Sequence, residues 1–188
     1  MKKKIIIACI VLILAALGAG LLGLFPVARV GTAIIWYRAY DNRAGALERF
    51  EERNKAMAVG TVLTDADRSL LRRSVLQSMI AETVMEGYIK KNLFADGLPA
   101  AANALVESTL KTANPNLLPR ATKELYGWSV DEFKKEVLYP QALQNVLQAR
   151  VEKDGGVFSD FLAGELGKAQ VRLYGVPWKW ENGALKDK

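Results

Sequence analysis

Residues 64–92, TDADRSLLRRSVLQSMIAETVMEGYIKKN, have the clearest helical pattern in the chain. Thr64 and Asp65 are residue types that begin helices, and Lys90 and Lys91 suit the negative end of a helix dipole. The apolar positions recur at the three- and four-residue intervals of one helix face. They are Leu71, Val75, Leu76, Met79, Ile80, Val84, Tyr88 and Ile89. The pattern therefore predicts one long amphipathic helix that buries this face against other elements.

Shorter helices are predicted before and after this segment. A helical pattern covers residues 36–57 before it, and three further patterns follow it, over residues 98–113, 117–126 and 158–166. Ser129 with Glu132 has the spacing of a capping box, which predicts another helix start. Pro140 lies inside that helix and should kink or split it, because proline cannot donate the helical hydrogen bond.

Two short extended pieces are predicted near the ends of this helical body. Residues 27–35 alternate loosely around Gly31, and residues 170–174 alternate as a strand would. Pairing of the two pieces would bring the ends of the body together. The predicted fold is therefore mainly α, with two short strands near the ends of a helical domain.

The first residues of the chain predict a transmembrane helix that acts as a signal-anchor. Lys2, Lys3 and Lys4 precede an uncharged apolar run from Ile5 to Phe25. As a helix, this run would be about 31 Å long, which matches the hydrocarbon thickness of a bilayer. The positive-inside rule keeps the lysines in the cytoplasm. We therefore expect a single-pass protein of the inner membrane, with its body on the extracytoplasmic, periplasmic side.

Other interpretations of this N-terminal segment are open. Gly18-Ala19-Gly20 offers small residues at which a signal peptide could be cleaved. Ala15, Ala19 and Gly23 lie four apart, and such a small-residue stripe can pack two helices into a weak homodimer.

Three units are predicted: residues 1–26 as anchor or signal peptide, residues 27–176 as the helical domain, and residues 177–188 as a C-terminal tail.

The composition restricts the chemistry that the chain can perform. It has no histidine and one cysteine, which removes the commonest general base, an internal disulfide and a clustered zinc site. The net charge is +6, but Lys2, Lys3 and Lys4 supply half of it. A nucleic-acid-binding protein would show a stronger basic surface. We therefore expect no catalytic residue, no metal, no cofactor and no nucleic-acid partner.

Three stretches between residues 27 and 150 resemble a known family. They are VARVGTAI at residues 27–34, LRRSVLQSMIAETV at residues 71–84, and the capped helix that starts at WSVDEF, residues 128–133. In this order and spacing they resemble the strand–turn–strand, the long core helix and the later helix of the N-terminal domain of SurA-type extracytoplasmic chaperones. That family includes the foldases PrsA and PpiD. Two departures are Val30, where the family usually has asparagine, and Ile35-Trp36-Tyr37 in place of polar and acidic residues.

The resemblance implies a chaperone-like module that holds client polypeptides. In the family a parvulin-type isomerase domain follows, but the chain after Ala149 is shorter than the ~50-residue lower end of domain sizes. We therefore expect no isomerase site and no enzyme. The expected function is a membrane-anchored holdase for unfolded or emerging envelope and secreted proteins. The alternative is an envelope scaffold that binds one specific partner.

Aromatic and methionine side chains are numerous in the first half of the body, and most are expected in the core. Three tyrosines are instead expected to be exposed and to contact clients, since aromatic side chains give a large contact area at a low entropic cost. They are Tyr37, Tyr40 and Tyr88.

Overall fold

The computed structural model describes residues 23, 25–58, 62–92 and 97–188. Within these ranges, no helix combines the length and the apolar character needed to cross a membrane. The predicted anchor from Ile5 to Phe25 lies outside the described residues, except for Gly23 and Phe25. The anchor and its small-residue stripe therefore stay predictions.

The described chain is mainly helical, with short strands near its ends, as the sequence predicts. The helices are α1 (Tyr37–Ala58), α2 (Asp65–Lys91), α3 (Leu98–Thr112), α4 (Leu117–Tyr126), α5 (Val130–Phe133), α6 (Tyr139–Lys153) and α7 (Phe158–Lys168). A π-helical turn, Lys134–Leu138, joins α5 to α6. The strands are β1 (Pro26–Val30), β2 (Ala33–Trp36), β3 (Val171–Leu173), β4 (Trp178–Glu181) and β5 (Ala184–Asp187).

Helix α2 is the long helix that the sequence predicts, and both of its ends are where the pattern places them. Thr64 and Asp67 form a capping box at its start, in which each side chain accepts a hydrogen bond from the other residue's backbone N–H. The hydrogen bond from Lys55 to Asp67, together with those from Thr64, lowers the pKa of Asp67 to about 2. The buried residues of α2 are Val75, Leu76, Ile80, Met85 and Ile89.

Three of the strands form a sheet in the order β2-β1-β3. Strand β1 turns directly into β2 at Gly31, whose φ of 57° suits glycine. Its other edge pairs antiparallel with β3, which places Ala28 opposite Leu173. The predicted pairing of the two extended pieces is therefore confirmed, and it closes the described body at one end.

The segment predicted as a C-terminal tail is instead an antiparallel β-hairpin of β4 and β5. Asn182 and Gly183 form its turn with positive φ values of 51° and 79°. Asn-Gly is a strong short-range hairpin signal, and the tail interpretation overlooked it. Trp178 and Leu185 are buried in the core beneath the hairpin. The Gln77 side chain of α2 donates a hydrogen bond to the Gly183 carbonyl at 3.2 Å and accepts one from the Leu185 N–H at 2.8 Å.

Two apolar cores lie along α2. The first core is formed by the sheet, the hairpin, α1 and the first half of α2, with Leu76 and Ile80 completely buried at its centre. The second core is formed by the end of α2 with α3, α6 and α7. Its buried residues are Met85, Ile89, Ala102, Val106, Ala142, Leu143, Leu147 and Phe158.

Ion pairs hold α1 against α2 in one register. Arg72 of α2 binds Glu48 at 2.7 Å and Asp41 at 2.9 Å, both on α1. Arg68 binds Glu52 at 2.5 Å one turn further along α1. Some of the charged residues of α1 are therefore buried in the contact with α2, since Glu48 is only 9% exposed.

We predict that Leu76→Ala lowers the free energy of unfolding by about 2–5 kcal/mol, because it leaves a cavity at a fully buried position. The measurement is chemical unfolding of the full chain followed by circular dichroism. Leu70→Ala on the same helix is the matched control, because Leu70 is 63% exposed. It should change stability by less than about 0.5 kcal/mol. Equal losses for the two variants would contradict this description of α2.

Candidate functional site

A groove of about 470 Å³ lies between the two cores, where α1, α2, the π-helical turn, α6 and α7 meet. Apolar side chains from both cores line its walls: Leu47 and Val75 belong to the first core, and Met85 and Leu162 belong to the second. Trp128 and Val137 also line the groove.

Three charged side chains form the base of the groove. The Arg43 Nη1 atom donates hydrogen bonds to both carboxylate oxygens of Glu82 at 2.7 and 2.6 Å. The Arg43 Nε and Nη2 atoms donate to the Glu136 Oε2 atom at 3.1 and 2.9 Å. The three side chains are only 15%, 21% and 15% exposed. Burial works against the charged guanidinium, but Glu82 and Glu136 outweigh it and raise the pKa of Arg43.

The π-helical turn places Glu136 and Val137 at the groove. Pro140 lies in the first turn of α6 and has no N–H to donate, so the regular helix is interrupted before it, as predicted. The Tyr139 N–H instead reaches back to the Lys134 carbonyl, five residues earlier. This wider turn changes which side chains of the segment face inward, and π-helical turns are common at functional sites.

A stack of aromatic rings closes one end of the groove. Tyr126 lies between Phe50, with ring centroids 5.0 Å apart, and Trp128, at 5.7 Å. Gly127, between Tyr126 and Trp128 in the sequence, ends α4 with a φ of 76°, a left-handed conformation that favours glycine. A Cβ atom there would lie 1.4 Å from the Arg49 Nη1 atom, which donates a hydrogen bond to the Tyr126 carbonyl. Only glycine therefore allows this close approach.

The edge of the groove is polar. Gln141 and Gln144 of α6 and Ser74 and Ser78 of α2 are exposed there. Amide side chains carry both donors and acceptors, so they can pair with the N–H and C=O groups of a peptide backbone. The groove therefore combines apolar walls with a polar edge that can form hydrogen bonds with the backbone of an extended chain.

Of the three tyrosines predicted to contact clients, Tyr37 and Tyr40 pack edge-on at 6.0 Å and Tyr88 lies apart from them, and none of the three lines the groove. The predicted exposure of Tyr40 is wrong, because its ring is 3% exposed in the first core. Burial raises the pKa of Tyr40 to about 12, although Arg72 acts in the opposite direction. Tyr37 is half-buried and stacks on Phe25 at 4.6 Å, whereas Tyr88 is half-buried and packs edge-on against Phe161 at 4.8 Å.

The residues at the base of the groove have a signal in the sequence. Arg43 lies between Tyr40 and Leu47 on a face of α1 that is otherwise apolar, and Glu82 similarly follows Met79 on α2. Opposite charges that interrupt two apolar helix faces are a sign that the helices meet there, since buried charges need partners.

The charged groups of the groove are paired with one another. Within the ranges that the structure describes, no cluster of His, Cys, Asp or Glu could hold a metal ion. Both groove carboxylates are already bound to Arg43. Glu132, four residues before Glu136, accepts hydrogen bonds from Ser129 in the predicted capping box. These hydrogen bonds lower the pKa of Glu132.

We predict that Arg43→Met lowers the free energy of unfolding by about 2–3 kcal/mol at neutral pH, because it leaves two carboxylates unpaired. Restoring neutrality in Arg43→Met/Glu82→Gln/Glu136→Gln should recover most of the loss. Chemical unfolding of the full chain measures both effects.

Arg53→Met is the control for this prediction, since Arg53 is an exposed residue of the same helix. It should leave stability almost unchanged. A single substitution at Arg43 with no effect, or a triple variant that is no more stable than Arg43→Met, would argue against a structural role for the three charges.

Comparisons with known protein families, with curated proteins and with solved structures found no match for this chain. The resemblance to SurA-type chaperones therefore stays a prediction, and the function has to be argued from the groove.

Proposed function

We propose that this chain is a membrane-anchored, extracytoplasmic holdase that binds extended, apolar-rich segments of other polypeptides. The observation that carries this proposal is the groove between the two cores, with its apolar walls and its polar edge. Such a surface has no need of a cofactor or an energy source, since burial of client side chains drives binding.

The size of the groove suits short extended segments. Its volume of about 470 Å³ lies within the range of ~300–1,000 Å³ that is typical of ligand sites. Successive side chains of a strand point to opposite sides, so only alternate residues of a client would enter the groove. Specificity would then depend on a few apolar side chains, which many unfolded segments can supply.

The expected affinity is weak. Burial stabilises a complex by about 25 cal/mol per Å² of apolar surface, but ordering an unfolded client offsets much of this gain. Weak binding suits a holdase, because clients must leave again without an input of energy.

The tethering part of the proposal rests on the apolar run from Ile5 to Phe25. Backbone contacts hold the end of this run against α1, since the Phe25 and Gly23 carbonyls accept hydrogen bonds from the Tyr37 and Arg38 N–H groups at 2.9 and 3.2 Å. No flexible linker of described residues separates the run from β1, so an anchor would hold the body close to the bilayer.

We predict that Gln144→Trp weakens client binding by filling the groove. A loss of ~60 Å² of apolar contact would weaken binding roughly tenfold. The measurement is the suppression of aggregation of a chemically denatured client, followed by light scattering, with the full chain in nanodiscs.

Asn145→Trp is the matched control, because Asn145 is the next exposed residue of α6 and does not line the groove. It should suppress aggregation as the unmodified chain does. If the unmodified chain does not suppress aggregation, the holdase proposal fails. If both tryptophan variants suppress it equally well, the groove is not the client site.

A scaffold for one specific partner is the rival function, and crosslinking in cells separates it from a holdase. We predict that a photo-crosslinking amino acid at position 141, on the groove edge, captures many unrelated proteins. The same amino acid at position 145 should capture few. A single dominant product at position 141 would instead favour the scaffold, and no product at all would argue against any partner in the groove.

A further inference from the structure

The outer face of the three-stranded sheet carries two adjacent arginines. Arg29 of β1 lies opposite Arg172 of β3 on one side and opposite Ile34 of β2 on the other. Directly opposed residues of antiparallel strands project from the same side of a sheet. The two guanidinium groups and the Ile34 side chain therefore form one row on the exposed face.

This arrangement of like charges needs an explanation. Directly opposed charges of one sign destabilise a pair of strands. Within the part of the chain that the structure describes, neither arginine forms an ion pair, and the Arg29 Nε atom donates only to the Gly31 carbonyl at 2.9 Å. Together with Gly31, Gln170 and Val171 they line a depression of about 320 Å³. An anion bound there would relieve the repulsion.

Exposed apolar and aromatic side chains surround the two arginines. Ile34 and Trp36 of β2 are each 45% exposed, and Tyr174, two residues after Arg172, is 39% exposed. Tryptophan and tyrosine favour the headgroup region of bilayers, where one side of the ring is apolar and the other is wet.

The position of this patch in the chain indicates its occupant. Phe25 is the last residue of the apolar run that starts at Ile5, and Trp36 pairs with Pro26, the next residue. The patch therefore borders the point at which the proposed anchor enters the body. A tether raises the local concentration of the bilayer surface, so even weak docking on that surface is effective.

We propose that the outer sheet face, formed by Arg29, Ile34, Trp36, Arg172 and Tyr174, docks on an anionic bilayer surface. Arg29 and Arg172 bind lipid phosphates, while Trp36 and Tyr174 lie among the headgroups. Docking fixes the orientation of the body on the membrane. This inference rests on the anchoring part of the proposed function and is independent of client binding.

The test uses the full chain in nanodiscs that contain lipids with brominated acyl chains, which quench nearby tryptophans. Trp36 is the reporter, since Trp128 and Trp178 are 4% and 5% exposed and Trp180 is half-buried against the first core. Trp36→Phe identifies the share of the emission that comes from Trp36. We predict strong quenching of Trp36 when about one-third of the lipid is phosphatidylglycerol, and weaker quenching in phosphatidylcholine alone.

Charge reversal at the two arginines should release the face. We predict that the neutral variant Arg29→Gln/Arg172→Gln lowers the ratio of docked to undocked body about 25-fold in the anionic nanodiscs, since each arginine contributes about fivefold. Arg29→Glu/Arg172→Glu should show a larger loss, because the two carboxylates are also repelled by the anionic lipids. Arg53→Glu/Arg120→Glu is the control with the same charge change, because both arginines are exposed on helices away from the sheet.

Flotation of the chain with vesicles after a high-salt wash separates this inference from the anchor itself. A chain that floats, but whose Trp36 quenching is the same in both lipids or unchanged by Arg29→Glu/Arg172→Glu, overturns the docking proposal and leaves the anchor intact. A chain that does not float overturns both. In either case the aggregation assay still tests client binding by itself.

Discussion

The pairing of Arg43 with Glu82 and Glu136 is the constraint on which the arrangement of the helices depends. A guanidinium this deeply buried is tolerated only when carboxylates satisfy it, so α1, α2 and the π-helical turn must meet at one point. The same three side chains also line the groove between the two cores. The ion pairs that bring the helices together are therefore part of the groove itself.

The groove depends equally on two local backbone features. Pro140 disrupts a regular helix, and the π-helical turn that results brings Glu136 to Arg43. Gly127 allows Arg49 to hold the end of α4, which positions Tyr126 and Trp128 as the aromatic end of the groove. Neither feature buries much apolar surface by itself. Their contribution is to orient side chains whose packing energy comes from the cores on either side.

Sequence patterns predict most of the helices well because the signals that begin and end them are local. The helix start at Thr64, the capping box at Ser129 and the terminal Gly127 lie where the patterns place them. The groove could not be predicted in this way, because Arg43 and Glu136 are 93 residues apart. The error at Tyr40 has a similar origin, since periodicity defines a face of α1 but not the neighbours that cover it. The hairpin was missed although Asn182-Gly183 marks its turn.

The residues of the two cores come from segments of very different length, and this affects the order in which the cores form. The buried residues of the second core all lie between Met85 and Phe158, whereas the first core needs both Val27 and Leu185. A chain that emerges N-terminus first can therefore assemble its second core while the first still lacks the hairpin. Contacts this distant in sequence form late. For that interval the apolar residues of β1 and β2 lack the hairpin that covers them in the complete fold.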